Sequence, residues 1–353
     1  MENHDYTSAW RCDDMSVAIS RLRFPLTVMI VMFHCYCFQP AGSLSLYATA
    51  AYPFGLTLGE TGVPAFFFIS GFLFFYSQRP YADKMRTRLR TLVVPYVLWN
   101  ALVLLAYAAL SIAGHPQDIA GKSIADYGVV DYVRAFIDRG DFSGGNGQPM
   151  LCPYWYVRNL VLLCIVSPLL RPLLSGVKGL AVIAVLFAWW IVLPYNGMVA
   201  QSLLFFSLGA WFSINKVNPL GACTDRFMPW LTAAWGALFV LDIVLNRVTP
   251  VQGGLYVHRV VLVTTIFVLL HRASRVRWRM LDNKTLAGSS FWIYTTHYPL
   301  VLAISSVHPA GDSWAQLCFY FFSVAAVVAV CLLAYKILGR VAPRLLAVTI
   351  GNR

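Results

Sequence analysis

Long apolar stretches recur along the whole chain and are separated by short polar connections. An α-helix needs about 20 mostly apolar residues, within a range of about 17–25, to cross the hydrocarbon core of a bilayer. The pattern therefore predicts an all-α, polytopic transmembrane bundle of about ten helices. The predicted spans are 17–38, 55–76, 91–113, 155–173, 178–194, 197–214, 228–246, 254–271, 286–304 and 313–337.

The composition and the positions of the charges support this fold. Apolar residues make up 59% of the 353 residues and charged residues 12%, whereas soluble domains are about a quarter charged. If the N-terminus is cytoplasmic and the spans alternate, 21 of the 27 Lys and Arg residues lie on the cytoplasmic side. Lys and Arg favour cytoplasmic loops, so the count predicts that both termini are cytoplasmic. The same rule accounts for the net charge of +12 without a nucleic-acid partner.

Three regions follow from these spans: a short cytoplasmic segment 1–16, a transmembrane domain 17–337, and a cytoplasmic tail 338–353. The longest connection, 114–154, falls on the outer face. It is rich in Gly and Asp, with an amphipathic patch over 131–137, and its composition favours a solvated or glycan-facing loop. The eight cysteines show no paired spacing that would predict a zinc site or a disulfide framework.

Ionisable side chains inside a membrane are costly and are functional candidates by default. Arg23 and His34, both in the first span, are eleven positions apart, which returns them to nearly the same helix face about 16 Å apart along the axis. They are candidates for catalysis. The alternative is an arginine that snorkels to the interface and a histidine that hydrogen-bonds a neighbouring helix.

A basic cluster lies between the second and third spans, on the predicted cytoplasmic side. It comprises Lys84, Arg86, Arg88 and Arg90. Arginine side chains suit the oxygens of phosphate groups. Ordinary anchoring of the cytoplasmic loop, or attraction to anionic lipid headgroups, explains the cluster equally simply.

Two further ionisable residues have open interpretations. His297 lies in the middle of the ninth span, two residues before Pro299, and is either functional or a packed, hydrogen-bonded histidine. Glu60 lies near the start of the second span, where an exposed carboxylate is favoured by the helix dipole.

Together these motifs resemble the membrane acyltransferase 3 family of O-acyltransferases that modify bacterial surface glycans. The resemblance is collinear over essentially the whole chain, and ten helices is the count expected for that family. Its motifs are found here as Arg23 with His34, the run 62–73 (GVPAFFFISGFL), the basic stretch before Pro95-Tyr96, the segments 155–160 and 167–170, and Tyr294 with His297. The family often spaces its arginines three apart before the third helix, whereas Arg86, Arg88 and Arg90 alternate here, so all three remain candidates.

The resemblance implies a multi-pass enzyme of the bacterial inner membrane. It would transfer an acyl group, most simply acetyl, from cytoplasmic acyl-CoA to a sugar hydroxyl of a surface polysaccharide or lipid-linked glycan. Acetyl-CoA would be a substrate, with no permanently bound cofactor and no metal, and membrane lipids would surround the protein. The implied site residues are His34, Arg23 and His297 for catalysis; Arg86, Arg88 and Arg90 for the phosphates of CoA; and Trp155, Arg158 and Tyr294 for substrate binding. Glu60 is a further candidate for substrate binding.

Two other functions fit an intramembrane Arg and His. The main alternative is a transporter or flippase for a lipid-linked glycan or a small anionic molecule, in which these residues would line a pathway. The sequence lacks the inverted repeats and interrupted helices that are common in such transporters. The other alternative is a structural subunit that recruits partners through the loop 114–154.

Overall fold

The computed structural model describes residues 12–37, 45–115, 118–119, 122–138, 148–192, 197–251, 253–276, 280–309 and 314–351. Where the structure describes them, the ten predicted spans lie mostly on helices, which confirms the all-α prediction. The helices are α1 Asp13–Cys35, α2 Leu46–Ala50, α3 Gly59–Tyr76, α4 Tyr81–Arg88, α5 Val94–Ile112, α6 Val129–Ile137, α7 Trp155–Leu174, α8 Lys178–Val192, α9 Gly197–Ile214, α10 Ala222–Ile243, α11 Gly254–Arg275, α12 Lys284–Ser305, α13 Trp314–Val341 and α14 Pro343–Thr349. Three π-helical segments, Pro53–Leu58, Leu89–Val93 and Val244–Val248, continue neighbouring helices.

Among the described residues, seven helical segments are long and apolar enough to cross a membrane. They are Asp13–Cys35, Leu46–Tyr76, Tyr81–Ile112, Cys152–Leu174, Thr224–Val248, Gly254–Arg275 and Trp314–Val341. Of the remaining three spans, two form shorter apolar helices, α8 and α9. The third, α12, has 22 residues but includes Ser, Thr, His and Tyr side chains. Ten is therefore an approximate count of the membrane crossings.

Helix α3 lies at the centre of the bundle and packs most closely against α9. A Cβ on Gly71 would lie 2.0 Å from the carbonyl oxygen of Phe206, and a Cβ on Gly209 would lie 1.9 Å from that of Phe68. The two backbones touch at these glycines. Lipid is as apolar as the side chains, so burying apolar surface does not drive helices together in a membrane. Helices there commonly associate through small residues that allow close packing.

Helix α3 also packs against the second half of α1. A Cβ on Gly62 would meet the carbonyl oxygen of Leu26 at 2.8 Å, and a Cβ on Gly59 would meet the backbone nitrogen of Phe33 at 3.0 Å. These contacts bring the first turn of α3 against the last turns of α1. Glu60 and His34 are consequently placed at the same end of the bundle.

The connection between α5 and α7 has structure of its own. Strands β1 Asp118–Ile119 and β2 Lys122–Ser123 pair antiparallel, and the patch expected to be amphipathic forms α6. Lys122 Nζ lies 2.6 Å from Asp131 Oδ2. The hydrogen bond from Lys122, together with that from the Gly128 N–H, holds the pKa of Asp131 below its usual value. Residues 139–147 of this connection lie outside the described part of the chain, as do residues 1–11 of the N-terminal segment.

Some of the described residues of this connection pack on the bundle, while Val129, Val130 and Val133 are exposed. Ile124, Ala135 and Met150 form a buried cluster with Leu104 of α5. The N–H of Leu151 donates to Asn100 Oδ1 at 2.8 Å, inside the bundle. The solvated or glycan-facing character of the connection stays a prediction.

Asn100 is expected to hold the connection in place. It is fully buried, and its Nδ2 donates to the Tyr96 carbonyl oxygen at 2.8 Å. Asn100→Leu should destabilise the protein by about 1–3 kcal/mol, because the buried N–H of Leu151 loses its acceptor. Thermal unfolding in detergent and the rate of proteolysis within 114–154 are the measurements. Leu105→Ala, on an exposed face of the same helix, is the control and should leave the cleavage rate unchanged.

The chain end is also packed rather than extended. Helix α13 runs to Val341 and α14 follows, so the predicted tail 338–353 is largely helical. Trp99 Nε1 donates to the Thr349 carbonyl oxygen at 3.0 Å, and Leu346 and Ile350 are buried. The tail therefore closes one side of the bundle beside α5.

Candidate functional site

Two predicted histidines meet at the contact between α1 and α12. The ring centroids of His34 and His297 are 5.1 Å apart. The ring of Tyr298 lies 5.2 Å from that of His34 in an edge-on arrangement. His297 is fully buried, whereas His34 is partly exposed and lines a cavity. The fold thus joins two candidates that are more than 260 residues apart in sequence.

The hydrogen bonds of His297 define which nitrogen carries its proton. Nδ1 lies 2.8 Å from the carbonyl oxygen of Tyr294 and 3.1 Å from that of Ile293. Carbonyl oxygens only accept hydrogen bonds, so Nδ1 is the donor. In the neutral ring Nε2 then carries a lone pair, and this atom is buried with no hydrogen-bond partner among the described residues. His297 therefore presents an acceptor beside His34.

A stack of three tyrosine rings lies next to His297. The ring of Tyr154 is stacked between Tyr96, at 5.6 Å, and Tyr294, at 5.8 Å. The Tyr294 hydroxyl donates its proton in a hydrogen bond to the carbonyl oxygen of Pro153. Tyr294 therefore lies beside His297, where the sequence placed it, but as a packed residue whose O–H is bonded to the backbone.

The cavity beside His34 has a volume of about 360 Å³. That is within the range of about 300–1,000 Å³ typical of small-ligand pockets. Two residues predicted to bind substrate, Glu60 and Trp155, line it together with His34. Its other polar and aromatic lining residues include Gln148, Trp190, Gln201, His258 and Arg259.

Sequence reasoning missed the charged network on the far wall of this cavity. His258 contacts Glu60 on one side and the buried Asp242 on the other. Arg259 donates to the carbonyl oxygen of Trp190, and its guanidinium carbon lies 5.2 Å from the centroid of that ring. The signal was present, because these residues interrupt the apolar stretches 228–246 and 254–271, where each ionisable residue is a candidate.

The predicted CoA-binding arginines follow the end of α3 that is opposite Glu60. Arg23 is exposed in the middle of α1, about 16 Å along the helix from His34. Arg86 is 72% exposed and lies 3.8 Å from Asp83, and Arg90 is exposed. The Arg88 guanidinium lies 6.0 Å from the centre of the Phe74 ring. None of these four arginines lines the described cavity.

Arg158 is held by the polypeptide itself. Its Nη2 donates to Asn159 Oδ1 at 3.0 Å, and its Nη1 donates to the carbonyl oxygen of Ile137. These bonds join the end of α6 to α7. The structure places Arg158 outside the lining of the cavity, and its role in substrate binding stays a prediction.

A comparison with known families identifies the family of the chain. The profile of the acyltransferase domain family, Acyl_transf_3, matches residues 17–336. The chain belongs to the acyltransferase 3 family. The match covers the whole predicted transmembrane domain except its last residue, and it includes His34, Glu60 and His297. The resemblance inferred from the motifs is confirmed.

A relative of this acyltransferase is the succinoglycan biosynthesis protein ExoH of Rhizobium meliloti (strain 1021). The two are 27% identical over 309 residues, which covers 85% of this chain and 81% of the relative. No solved structure matches the chain. The paired histidines lie on α1 and α12, and the cavity beside them is lined by residues of several helices of the bundle.

Proposed function

We propose that this acyltransferase transfers an acyl group, preferentially acetyl, from acyl-CoA used on the cytoplasmic side to a hydroxyl of a surface polysaccharide or lipid-linked glycan. The observation that carries the proposal is the His34–His297 pair beside a cavity in a chain of the acyltransferase 3 family. The relative named for succinoglycan biosynthesis supports a glycan as the acceptor.

In this proposal His34 is the general base. Imidazole titrates close to working pH and is the side chain used most often for this task. His34 takes the proton from the acceptor hydroxyl as its oxygen attacks the thioester carbonyl carbon. A carbon–oxygen bond forms, the carbon–sulfur bond breaks, and the thiolate of CoA takes the proton back from the His34 imidazolium.

His297 supports this step through its Nε2 lone pair. Because its Nδ1–H is bonded to backbone carbonyl oxygens, Nε2 is free to accept a hydrogen bond from the His34 ring or from the hydroxyl. An acceptor atom repels a developing oxyanion, so His297 suits the base rather than the oxyanion. The Tyr294 hydroxyl is bonded to Pro153 and acts by packing against His297.

The donor would enter from the end that carries the exposed arginines. Arg86 and Arg90 are exposed, and Arg171 at the end of α7 is close enough to interact with the charge of Lys84. Guanidinium groups at this position suit the phosphates of CoA. Arg23 lies on the helix that also carries His34, so α1 would contact both the donor and the reacting atoms.

The decisive experiment is to incubate the purified protein with radiolabelled acetyl-CoA and polysaccharide from the producing cells, after mild alkali has removed its ester groups. We expect label to appear on the polysaccharide, and slow release of CoA when polysaccharide is omitted. Mass analysis of the glycan from a strain that lacks the gene should show loss of one acyl group per modified unit. Transport of an unmodified substrate without CoA release would support the transporter function instead.

The arginine cluster provides a separate prediction. Arg86→Ala and Arg90→Ala should each raise the KM for acetyl-CoA by about 3- to 30-fold, because a charge-assisted hydrogen bond to phosphate is lost. Arg23→Ala should raise the same constant while the KM for polysaccharide stays constant. Steady-state kinetics at two salt concentrations are the measurement, since exposed charges are screened by salt. Arg340→Ala, exposed at the end of α13, is the control. A change in the acceptor KM alone would place CoA elsewhere.

A further inference from the structure

Three ionisable side chains form a continuous chain from the interior of the protein to the cavity. His258 Nε2 lies 2.7 Å from Glu60 Oε2, and His258 Nδ1 lies 3.1 Å from Asp242 Oδ2. Asp242 is fully buried, His258 is 6% exposed, and the Glu60 side chain is 40% exposed. Glu60 is the most exposed of the three and lines the cavity together with His258.

The inner end of this chain is tightly held. Asp242 accepts hydrogen bonds from Thr57 Oγ1 at 2.8 Å, from Asn246 Nδ2 at 2.8 Å and from the Tyr52 hydroxyl at 3.1 Å. A buried carboxylate is stable only when its oxygens are satisfied in this way. The carboxylate of Asp242 in turn fixes the ring of His258, because Nδ1 must point toward it.

Both ring nitrogens of His258 face carboxylate oxygens. An ionised carboxylate only accepts hydrogen bonds. The ring therefore either donates from both nitrogens, or its Nδ1–H donates to Asp242 while its Nε2 accepts a hydrogen bond from a protonated Glu60. In both arrangements one Glu60 oxygen is bonded to His258. The carboxyl group is thereby held in one orientation, and its second oxygen remains for another partner.

The backbone around this network departs from regular α-helix. The π-helical segment Pro53–Leu58 ends two residues before Glu60, and the segment Val244–Val248 begins two residues after Asp242. Short π-helical segments within helices are frequent at functional sites. Here the two segments flank Glu60 and Asp242, the two carboxylates that contact His258.

The cavity that Glu60 faces has the chemistry of a sugar site. The indole ring of Trp155 contributes an apolar surface to the lining, while Gln201 and Arg259 contribute N–H groups. A sugar ring carries apolar C–H groups on its faces and hydroxyls around its edge. A carboxylate accepts hydrogen bonds from such hydroxyls, and His34 lines the same cavity.

We propose that Glu60 binds the acceptor by accepting hydrogen bonds from hydroxyls of a sugar ring in this cavity, and that His258 and Asp242 are positioning residues that orient its carboxylate. This inference rests on the proposed function, because it names the subsite for the acceptor of that reaction. It places the acceptor at the His34 end of α1 and leaves the arginine end to the donor.

The test uses full-length protein, acetyl-CoA and alkali-treated polysaccharide. Glu60→Gln keeps the size of the side chain and the hydrogen bond to His258, but it removes the charge. We expect its KM for polysaccharide to rise by about 10- to 100-fold, which is the usual effect of losing hydrogen bonds to a charged group. Its KM for acetyl-CoA should stay within twofold of wild type. Asp282→Asn, on an exposed carboxylate that pairs with Arg21, is the matched control.

A double-mutant cycle distinguishes positioning from mere stabilisation. If His258 acts through Glu60, His258→Gln raises the acceptor KM in the wild-type background and adds nothing in the Glu60→Gln background. The proposal is overturned if His258→Gln raises the acceptor KM by the same factor in both backgrounds. It is also overturned if His258→Gln lowers the melting temperature and leaves the acceptor KM unchanged. Asp242 is left out of the cycle because its replacement threatens folding.

Equilibrium binding of the same polysaccharide, measured without acetyl-CoA, separates this inference from the proposed function. Tighter binding to wild type than to Glu60→Gln supports the acceptor subsite, whether or not acetyl transfer is detected. If wild type transfers acetyl groups and both proteins bind the polysaccharide equally, the inference fails while the proposed function stands. If wild type neither transfers acetyl nor hydrolyses acetyl-CoA, the proposed function fails.

Discussion

His34→Ala should reduce acyl transfer by about 100- to 10,000-fold, the usual contribution of a positioned general base. The effect should appear in kcat, because the variant keeps the rest of the cavity lining and the exposed arginines, which are the proposed binding sites of the two substrates. His297→Ala should cost less, since it removes a group that supports the base. Initial rates with labelled acetyl-CoA and alkali-treated polysaccharide are the measurement.

The control for this prediction is His115→Ala. His115 is exposed at the end of α5, away from the described cavity, so its loss should leave the rate within twofold of wild type. The pH–rate profile of kcat offers a second check, because the arm assigned to a basic group should disappear with His34. A His34→Ala protein that inserts normally and keeps its full rate would remove His34 from the catalytic step.

Gly71→Ala and Gly209→Ala should have the largest effects on stability. Each added methyl group would overlap a backbone carbonyl oxygen of the facing helix, that of Phe206 or Phe68, at about 2 Å. A backbone cannot rotate out of the way as a flexible side chain does, so α3 and α9 must separate along their contact. The expected loss is at or above the upper end of the about 1–3 kcal/mol typical of overpacked sites.

Size-exclusion chromatography in mild detergent, combined with thermal unfolding, measures this effect. Most of each variant should aggregate on extraction or unfold at a clearly lower temperature than wild type. Gly236→Ala is a matched control in α10, because a Cβ there meets nothing within 4 Å. It should be neutral or gain up to about 1 kcal/mol from helix propensity. If all three variants behave alike, the close α3–α9 contact does not stabilise the bundle.

The predicted helix boundaries show how accurately hydropathy locates the ends of helices. The spans 155–173 and 197–214 agree with α7 and α9 to within a residue at each end, while α1 begins four residues earlier and α13 ends four residues later than predicted. At these ends, residues such as Asp13, Asp14 and Arg340 continue the helix beyond the apolar stretch, since backbone hydrogen bonding does not require apolar side chains. The segment 338–353 was predicted to be a tail because it lies beyond the last apolar stretch. In the structure, α14 packs apolar side chains beside α5.

The candidate site shows the same division more sharply. Arg23, His34 and His297 were found because a charged or titratable group in an apolar stretch is costly and draws attention wherever it stands. Their partners could not be found in that way. Nothing in the order of residues indicates that Asp242 and Glu60 contact the two sides of one imidazole, because they are more than 180 residues apart.

The order of residues is enough to establish the membrane bundle, its approximate helix count and the family, because hydropathy and motif spacing are local properties of the chain. The pairing of His34 with His297, the Glu60–His258–Asp242 chain and the cavity between them depend on how helices pack. That packing is set by glycine contacts such as those at Gly59 and Gly71, where one missing Cβ determines how closely two backbones approach. Such contacts join residues distant in sequence, so they become visible only when the helices are assembled.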